Sequence, residues 1–140
     1  MISDRSSVLL GLQRATHATT HALAAHVADL GLTPAEINAL ANLAGSRPRT
    51  VSELGQLIGS PPTTLTSVLD RLERRGHVAR NPHPSDRRAL VVELTPSGRR
   101  AAASIRRAIG RLETHLLGRL DAASIDGLRA GLDALTGATP

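Results

Sequence analysis

A four-residue break, Gly59-Ser60-Pro61-Pro62, separates two segments with the apolar spacing of α-helices and limits the fold more than any other feature of the sequence. Glycine commonly ends a helix, and proline is tolerated in the first turn of the next one. We therefore predict that Ser60 caps the second helix and that both prolines lie in its first turn. A short helix, a turn with glycine and a second capped helix together form a helix-turn-helix.

The segments on either side of this break carry matching start signals and apolar patterns. Thr50 and Glu53 have the spacing of a capping box, as do Thr33 and Glu36 earlier in the chain. The helix opened by Thr50 should turn its apolar residues inward, namely Leu54, Leu57 and Ile58. The helix after the break has apolar residues at i, i+3, i+4 and i+7, which are Leu65, Val68, Leu69 and Leu72.

The other residues that typically begin or end helices and strands predict six helices and one β-hairpin in a single, mainly α-helical domain covering residues 1–140. The first helix should run from Arg5 to about Asp29 and the second from Pro34 to near Gly45. Strands at 77–80 and 90–94 follow the helix-turn-helix, then a helix to about Leu120 and a last helix after Asp121. Since Phe, Tyr and Trp are absent, the core must be aliphatic, which suits helices packed on helices.

The terminal helices suggest a homodimer. We expect residues 32–98 to form a winged helix-turn-helix core and residues 1–31 and 99–140 to form a dimerisation bundle, because the first, fifth and sixth helices have apolar stripes that one domain cannot easily hide. A twofold dimer would place two helix-turn-helix units roughly 34 Å apart, one turn of DNA, and predicts a pseudopalindromic operator. The alternative is a monomer with a self-contained terminal bundle.

Charge is concentrated in the middle of the chain. All 17 basic residues are arginine, and residues 47–111 hold 13 of them against five acidic residues, a net charge of +8. A genome-wide preference for arginine explains the composition but not this distribution. The middle of the chain is therefore the part expected to face a polyanion.

The second helix of the helix-turn-helix is the element that such motifs lay in the DNA major groove. With its apolar residues turned inward, Thr63, Thr64, Ser67 and Arg71 should lie on one outward surface. Short hydroxyls permit close approach to the groove, and Arg71 has the reach to bind guanine or a phosphate. The alternative is an ordinary solvated polar face.

The tip of the hairpin should flank the same groove, because arginine is attracted to the strongly negative minor groove. We predict that Asp86 positions the guanidinium of Arg88 by a charge-assisted hydrogen bond, and an ordinary surface ion pair is the alternative. The complete predicted DNA-contacting set is Thr50, Ser60, Pro61, Pro62, Thr63, Thr64, Thr66, Ser67, Arg71, Arg74, Arg80, His83, Ser85, Asp86, Arg87 and Arg88.

Three motifs together resemble the multiple antibiotic resistance regulator (MarR) family. They are LTSVLDRLERRGHV at residues 65–78, PSDRR at 84–88 and LTPSG at 94–98. The resemblance implies a dimeric repressor whose helix after Pro61 reads the major groove, whose Arg88 enters the minor groove, and which a small organic effector releases. Ser67 departs from the longer polar or basic side chain often found there, which implies weaker base readout at that position.

The regulatory input has only weak sequence signals. His17 and His21 have the i, i+4 spacing of metal ligands, with His26 and His115 as further histidines elsewhere in the chain, but no acidic cluster completes a site. We expect no metal and no cofactor, and the weak effector-site candidates are His17, His21 and His115. Without aromatic residues, an effector would be held by aliphatic walls and a few polar groups from the first or fifth helix.

Several function classes are disfavoured. The chain has no cysteine, hence no disulfide or thiol switch, and we expect a cytoplasmic protein with no membrane partner. It carries no nucleophile elbow, phosphate loop or metalloprotease helix, so we expect no enzyme. The sequence leaves two alternatives to the DNA-binding reading: a winged-helix module that docks proteins, and a metal-sensing repressor that uses His17 and His21.

Overall fold

The computed structural model describes residues 7–45 and 47–137. They fall into two compact units, and the boundary, between Ala108 and Ile109, lies inside one helix. The elements, in chain order, are α1 (Val8–His26), a 3₁₀ turn (Ala28–Leu30), α2 (Pro34–Leu43), β1 (Arg49–Thr50), α3 (Val51–Ile58), α4 (Pro62–Arg74), β2 (Val78–Pro82), β3 (Leu90–Leu94), α5 (Pro96–Leu117) and α6 (Ala122–Thr136). The prediction of a mainly helical fold with six helices is confirmed for this part of the chain.

Both predicted capping boxes are present. Thr33 Oγ1 accepts a hydrogen bond from the backbone N–H of Glu36 at 3.2 Å, and Thr50 Oγ1 accepts one from that of Glu53 at 3.0 Å. In each case the glutamate accepts in return from the threonine N–H. These caps satisfy amides at the N-termini of α2 and α3, an effect typically worth about 1 kcal/mol per helix.

The cap of α4 differs from the prediction. Pro61, with φ −58° and ψ 149°, is the N-cap, no side chain caps the helix, and Pro62 is its first residue. A residue that precedes proline is driven out of the helical region, so Pro61 has to stay extended before Pro62. Ser60 therefore lies before the helix, and the prediction that it is the cap was wrong.

The other helix ends shift slightly from the predicted positions. α1 ends at His26 and a 3₁₀ turn continues to Leu30, where Gly31 (φ 61°) takes the left-handed conformation. The predicted start at Arg5 lies outside the described residues. α5 ends at Leu117 rather than near Leu120, and Asp121 caps α6 by accepting from the N–H of Ser124 at 2.8 Å. None of the described helices is long and apolar enough to cross a membrane.

The core of the first unit is aliphatic, as predicted. The four apolar residues of α4 are at most 1% exposed, and α2, α3, the sheet and α5 supply further fully buried side chains: Leu40, Leu54, Val92 and Ile105. Complete burial of each large aliphatic side chain contributes about 1.5–3 kcal/mol relative to exposure. Leu57 was expected on the inner side of α3 but is 50% exposed, whereas Leu54 of the same helix is fully buried.

The hairpin is part of a three-stranded antiparallel sheet with the order β1-β3-β2. β2 and β3 form the wing, in register with Val78 opposite Leu94 and Arg80 opposite Val92. The predicted two-stranded wing is present, and its sheet has a third strand that was not predicted, since Arg49 and Thr50 pair with Val92 and Val91 just before α3 begins. β1 anchors the wing beside the N-terminus of α3.

Close packing joins the start of α5 to the start of β2. A Cβ atom placed on Gly98 would lie 1.8 Å from the carbonyl O of His77, so only glycine fits. Thr95 Oγ1 accepts from the N–H of Gly98 at 3.0 Å and donates to the carbonyl of Gly76. These contacts fix the base of the wing against α5.

Candidate nucleic-acid interface

The outward face of α4 carries the predicted hydroxyl groups. Thr63, Thr64, Thr66 and Ser67 are all exposed, as are Pro61 and Pro62, while Ser60 is half-buried. The hydroxyl of Thr66 donates to the carbonyl O of Pro62 at 2.9 Å, so its proton is used within the helix. The remaining hydroxyls can approach base edges or phosphates closely.

Arg71 has a partner that the sequence did not indicate. Its Nε donates to Oε1 of Glu36 at 2.9 Å, and the carboxylate of Glu36 is only 3% exposed while the Arg71 side chain is 41% exposed. Arg75 reaches the same carboxylate at 3.8 Å and donates to the carbonyls of Leu30 and Gly31. Arg71 is therefore anchored through Nε, and the prediction that it reads guanine now competes with a structural role.

Arg80 faces α4 rather than the open side of the wing. Its Nε donates to Glu73 Oε2 and its Nη2 donates to Asp70 Oδ1, both at 2.6 Å, and its side chain is 23% exposed. The hydrogen bond that Arg80 donates to Glu73 is the main reason why the pKa of Arg80 is raised further above its ordinary value. The prediction that Arg80 grips DNA is revised, because two carboxylates hold its guanidinium.

The wing tip is organised by two side chains that accept backbone hydrogen bonds. His83 Nδ1 accepts from the N–H groups of Ser85 and Asp86, each at 3.1 Å. Asp86 Oδ1 accepts from the N–H of Arg88 at 3.0 Å, and the carbonyl of Asp86 accepts from the N–H of Ala89 at 3.1 Å. Asp86 thus shapes the backbone before Arg88; the expected bond to the Arg88 guanidinium is not formed, because the short carboxylate is taken up by the turn.

The unpaired positive charge of the interface lies at the wing tip and near the end of α4. Within residues 7–45 and 47–137, the guanidinium groups of Arg87 and Arg88 have no hydrogen-bond or ion-pair partner, and both side chains are exposed. Arg74, near the end of α4, is likewise exposed and unpaired in the described structure. These three arginines can bind phosphates or the minor groove without first breaking an internal contact.

Thr50 was also predicted to contact DNA. It is half-buried, and its hydroxyl accepts the capping hydrogen bond of α3. This use of the side chain accounts for its presence without a DNA contact.

The histidine candidates give no compact site. The rings of His17 and His21 are 5.0 Å apart on the exposed side of α1, and His26 Nδ1 contacts the carbonyl O of Ala22 at 2.8 Å. His115 is exposed in the second unit. Among the described residues there is no group of three or more His, Asp or Glu residues that could hold a metal ion.

Sequence reasoning missed the acidic partners of the interface arginines. Glu36 was assigned only to a cap, and Asp70 and Glu73 were counted only as charges. A usable signal was present, because Arg80 comes two residues after the buried Val78 on β2 and therefore shares its face, the core side of the wing. Asp70 and Glu73 are three residues apart on α4, which places them as neighbours on the helix surface.

Comparison with known proteins gives consistent matches. The MarR family matches residues 30–89. The uncharacterized HTH-type transcriptional regulator YcgE of Bacillus subtilis (strain 168) is 36% identical over 69 residues, which are 49% of this chain and 45% of that protein, so the match spans less than half of the curated relative.

Two solved structures are similar over nearly the whole chain. The transcriptional repressor CouR bound to a 23-mer DNA duplex is 28% identical, with a TM-score of 0.79 and 96% of each chain covered. A mutant MarR from E. coli complexed with operator DNA is 26% identical, with a TM-score of 0.76 and 91% and 94% covered. The helix-turn-helix, the wing and these matches together make this chain similar to MarR-family regulators, with the family match itself covering residues 30–89.

Proposed function

We propose that this chain is a sequence-specific DNA-binding transcriptional regulator, a dimeric repressor that sets α4 in the major groove and the wing tip in the minor groove. The observation that carries the proposal is the pairing of two surfaces: the exposed hydroxyl face of α4 and the unpaired Arg87 and Arg88 on a wing fixed beside it. The repressor bound to a duplex and the operator complex that this chain resembles support it.

DNA binding is tested with a fluorescent duplex of about 30 bp, long enough for two half-sites one helical turn apart, recovered by selection from a random library. Fluorescence anisotropy should give a binding constant whose logarithm falls linearly with log salt, with a slope of about −0.9 per neutralised phosphate. Arg107→Ala is the matched control for loss of an arginine outside the proposed interface, since that exposed arginine lies on α5 and contacts Ser104. Salt-independent or absent binding would overturn the proposal and leave the protein-docking alternative.

The dimer is proposed from apolar residues that one chain leaves exposed. On α6, Leu128, Leu132 and Leu135 are 43%, 40% and 46% exposed at i, i+4 and i+7, and on α1, Val8 and Leu9 are 73% and 58% exposed. Stripes of this kind on terminal helices fit burial against a second copy of the chain. Sedimentation should show a dimer that Leu128→Asp with Leu132→Asp dissociates; a wild-type monomer at micromolar concentration would contradict this part.

The release of DNA by a small organic effector is the remaining part of the proposal, and it rests on the expected aliphatic site near α1 or α5. An effector at 100 times its Kd stabilises the folded protein by about 2.7 kcal/mol, which a thermal-shift screen detects. A hit should also lower the affinity for the selected duplex. Release by Zn²⁺ alone, abolished in His17→Ala with His21→Ala, would instead favour the metal-sensing alternative.

A further inference from the structure

Asp70 lies on the strip of α4 that carries the proposed DNA contacts. Thr63, Ser67, Asp70 and Arg74 follow each other at i, i+4, i+7 and i+11 and so share one helical face, and Glu73 borders it. The side chains of Asp70 and Glu73 are 48% and 44% exposed. A helix that enters a groove lined by phosphates therefore presents carboxylates to them.

Uncompensated carboxylates in this position oppose binding. Two like charges about 4 Å apart in water repel by an energy that corresponds to roughly a fivefold change in affinity, and the effect grows where water is excluded. Arg80 is the only residue for which the described structure gives a contact with either carboxylate, at 2.6 Å in both cases. Its fork reaches both acids at once, which the single ammonium of a lysine would do less well.

The contact also joins two elements. Arg80 belongs to β2 and pairs with Val92 of β3, while its acidic partners belong to α4. The same guanidinium therefore lowers the negative charge of the helix and holds the base of the wing against it. A cation already satisfied by two carboxylates has little to gain from a phosphate.

We propose that Arg80 is a positioning residue that makes α4 compatible with DNA by neutralising Asp70 and Glu73 and tying the helix to the wing, rather than a phosphate contact. The inference rests on the proposed function and assigns each charge of the interface a distinct part. Arg87 and Arg88 attract the DNA phosphates, and Arg80 removes the repulsion between those phosphates and the carboxylates of α4.

The test is a rescue experiment with the selected duplex and the full chain. Arg80→Met should weaken binding at least about tenfold, because two carboxylates are unmasked. Adding Asp70→Asn and Glu73→Gln to Arg80→Met should restore the affinity to within about threefold of the wild type, since no charge is left to mask and only the tie between helix and wing stays lost. The charge-matched control adds Asp126→Asn and Asp133→Asn on α6 to Arg80→Met, and it should not rescue.

Each other result overturns the inference. If the triple variant binds as weakly as Arg80→Met, with unchanged melting temperatures, Arg80 contacts DNA directly or acts only by holding the wing. If the α6 control rescues equally, the effect is one of net charge. If Arg80→Met binds the duplex as tightly as the wild type, Arg80 has no role in DNA binding. Wild-type binding separates these cases from failure of the proposed function, in which the wild type itself binds no duplex and both proposals fall.

Discussion

The carboxylate of Asp86 accepts a hydrogen bond from the backbone N–H of Arg88 at 3.0 Å, while the guanidinium of Arg88 has no partner in the described part of the chain. The two residues therefore have different roles at the wing tip. Asp86 sets the backbone conformation, and Arg88 carries charge that is free to meet DNA. Substitutions at the two positions should consequently fail in different ways.

Arg88→Ala should weaken duplex binding and flatten its salt dependence by about 1.8 in the slope of log K against log salt, the share of two phosphate contacts, one from each subunit of the proposed dimer. The physical reason is that one exposed, unpaired guanidinium is lost from each subunit. Anisotropy titrations at several salt concentrations provide the measurement. An unchanged affinity at moderate salt would contradict the assignment of Arg88 to the interface.

Asp86→Ala should weaken binding with the salt slope preserved, because both wing arginines remain but the turn that presents them loses an acceptor. Asp86→Asn keeps an acceptor oxygen at the same place and is the matched variant, which should bind nearly as well as the wild type. Equal losses in the two variants would show that the charge of Asp86, rather than its hydrogen bond, is what matters.

Glu36→Gln should lower the free energy of unfolding by about 2 kcal/mol, since a buried carboxylate loses its ionic bond to Arg71. Glu53→Gln is a closely matched control: Glu53 holds the same capping-box position in α3, but its side chain is 38% exposed. Urea unfolding of the two variants separates the cap, which they share, from the buried pair. Similar losses in both would mean that the pair with Arg71 contributes little.

Gly98→Ala should destabilise the fold by about 3 kcal/mol or more, because a new Cβ would overlap the carbonyl O of His77 and backbone cannot move aside cheaply. Gly110→Ala in the same helix meets nothing within 4 Å and should stabilise by roughly 0.5–1 kcal/mol through helix propensity. Thermal unfolding of both variants checks the pair. If Gly98→Ala destabilises the fold only slightly, the contact between β2 and α5 is not rigid.

The sequence predicts those features whose cause is local. The caps at Thr33 and Thr50 depend on residues only three positions away, so their spacing is enough to identify them. The pairing of β1 with β3 depends on a partner more than 40 residues distant, and a two-residue strand has no periodicity to detect.

The candidate site divides in the same way. Arg87 and Arg88 were identified correctly as exposed wing arginines because a polar turn between two strands leaves them little else to contact. Arg71 and Arg80 were assigned to DNA because their charge is visible in the sequence. Their acidic partners come within reach only when the chain folds: the packing of α4 on α2 brings Glu36 to Arg71, and the packing of α4 on β2 brings Asp70 and Glu73 to Arg80.

Stability should fall on mild acidification because of His77. Burial, followed by the positive charge of Arg75, lowers the pKa of His77 below its ordinary value of 6.5, while Glu36 acts in the opposite direction. Below about pH 6.5 the unfolded chain therefore takes up a proton before the folded one does, and the free energy of unfolding decreases by at most about 1.4 kcal/mol per pH unit until the folded-state pKa is passed. Above pH 6.5 this contribution is fully present.

Urea unfolding at a series of pH values should show that the free energy of unfolding falls more steeply on acidification in the wild type than in His77→Gln. The glutamine can still hydrogen-bond to Ser97, the neighbour 3.1 Å from the imidazole. Parallel curves for the two proteins would mean that His77 titrates alike in the folded and unfolded states.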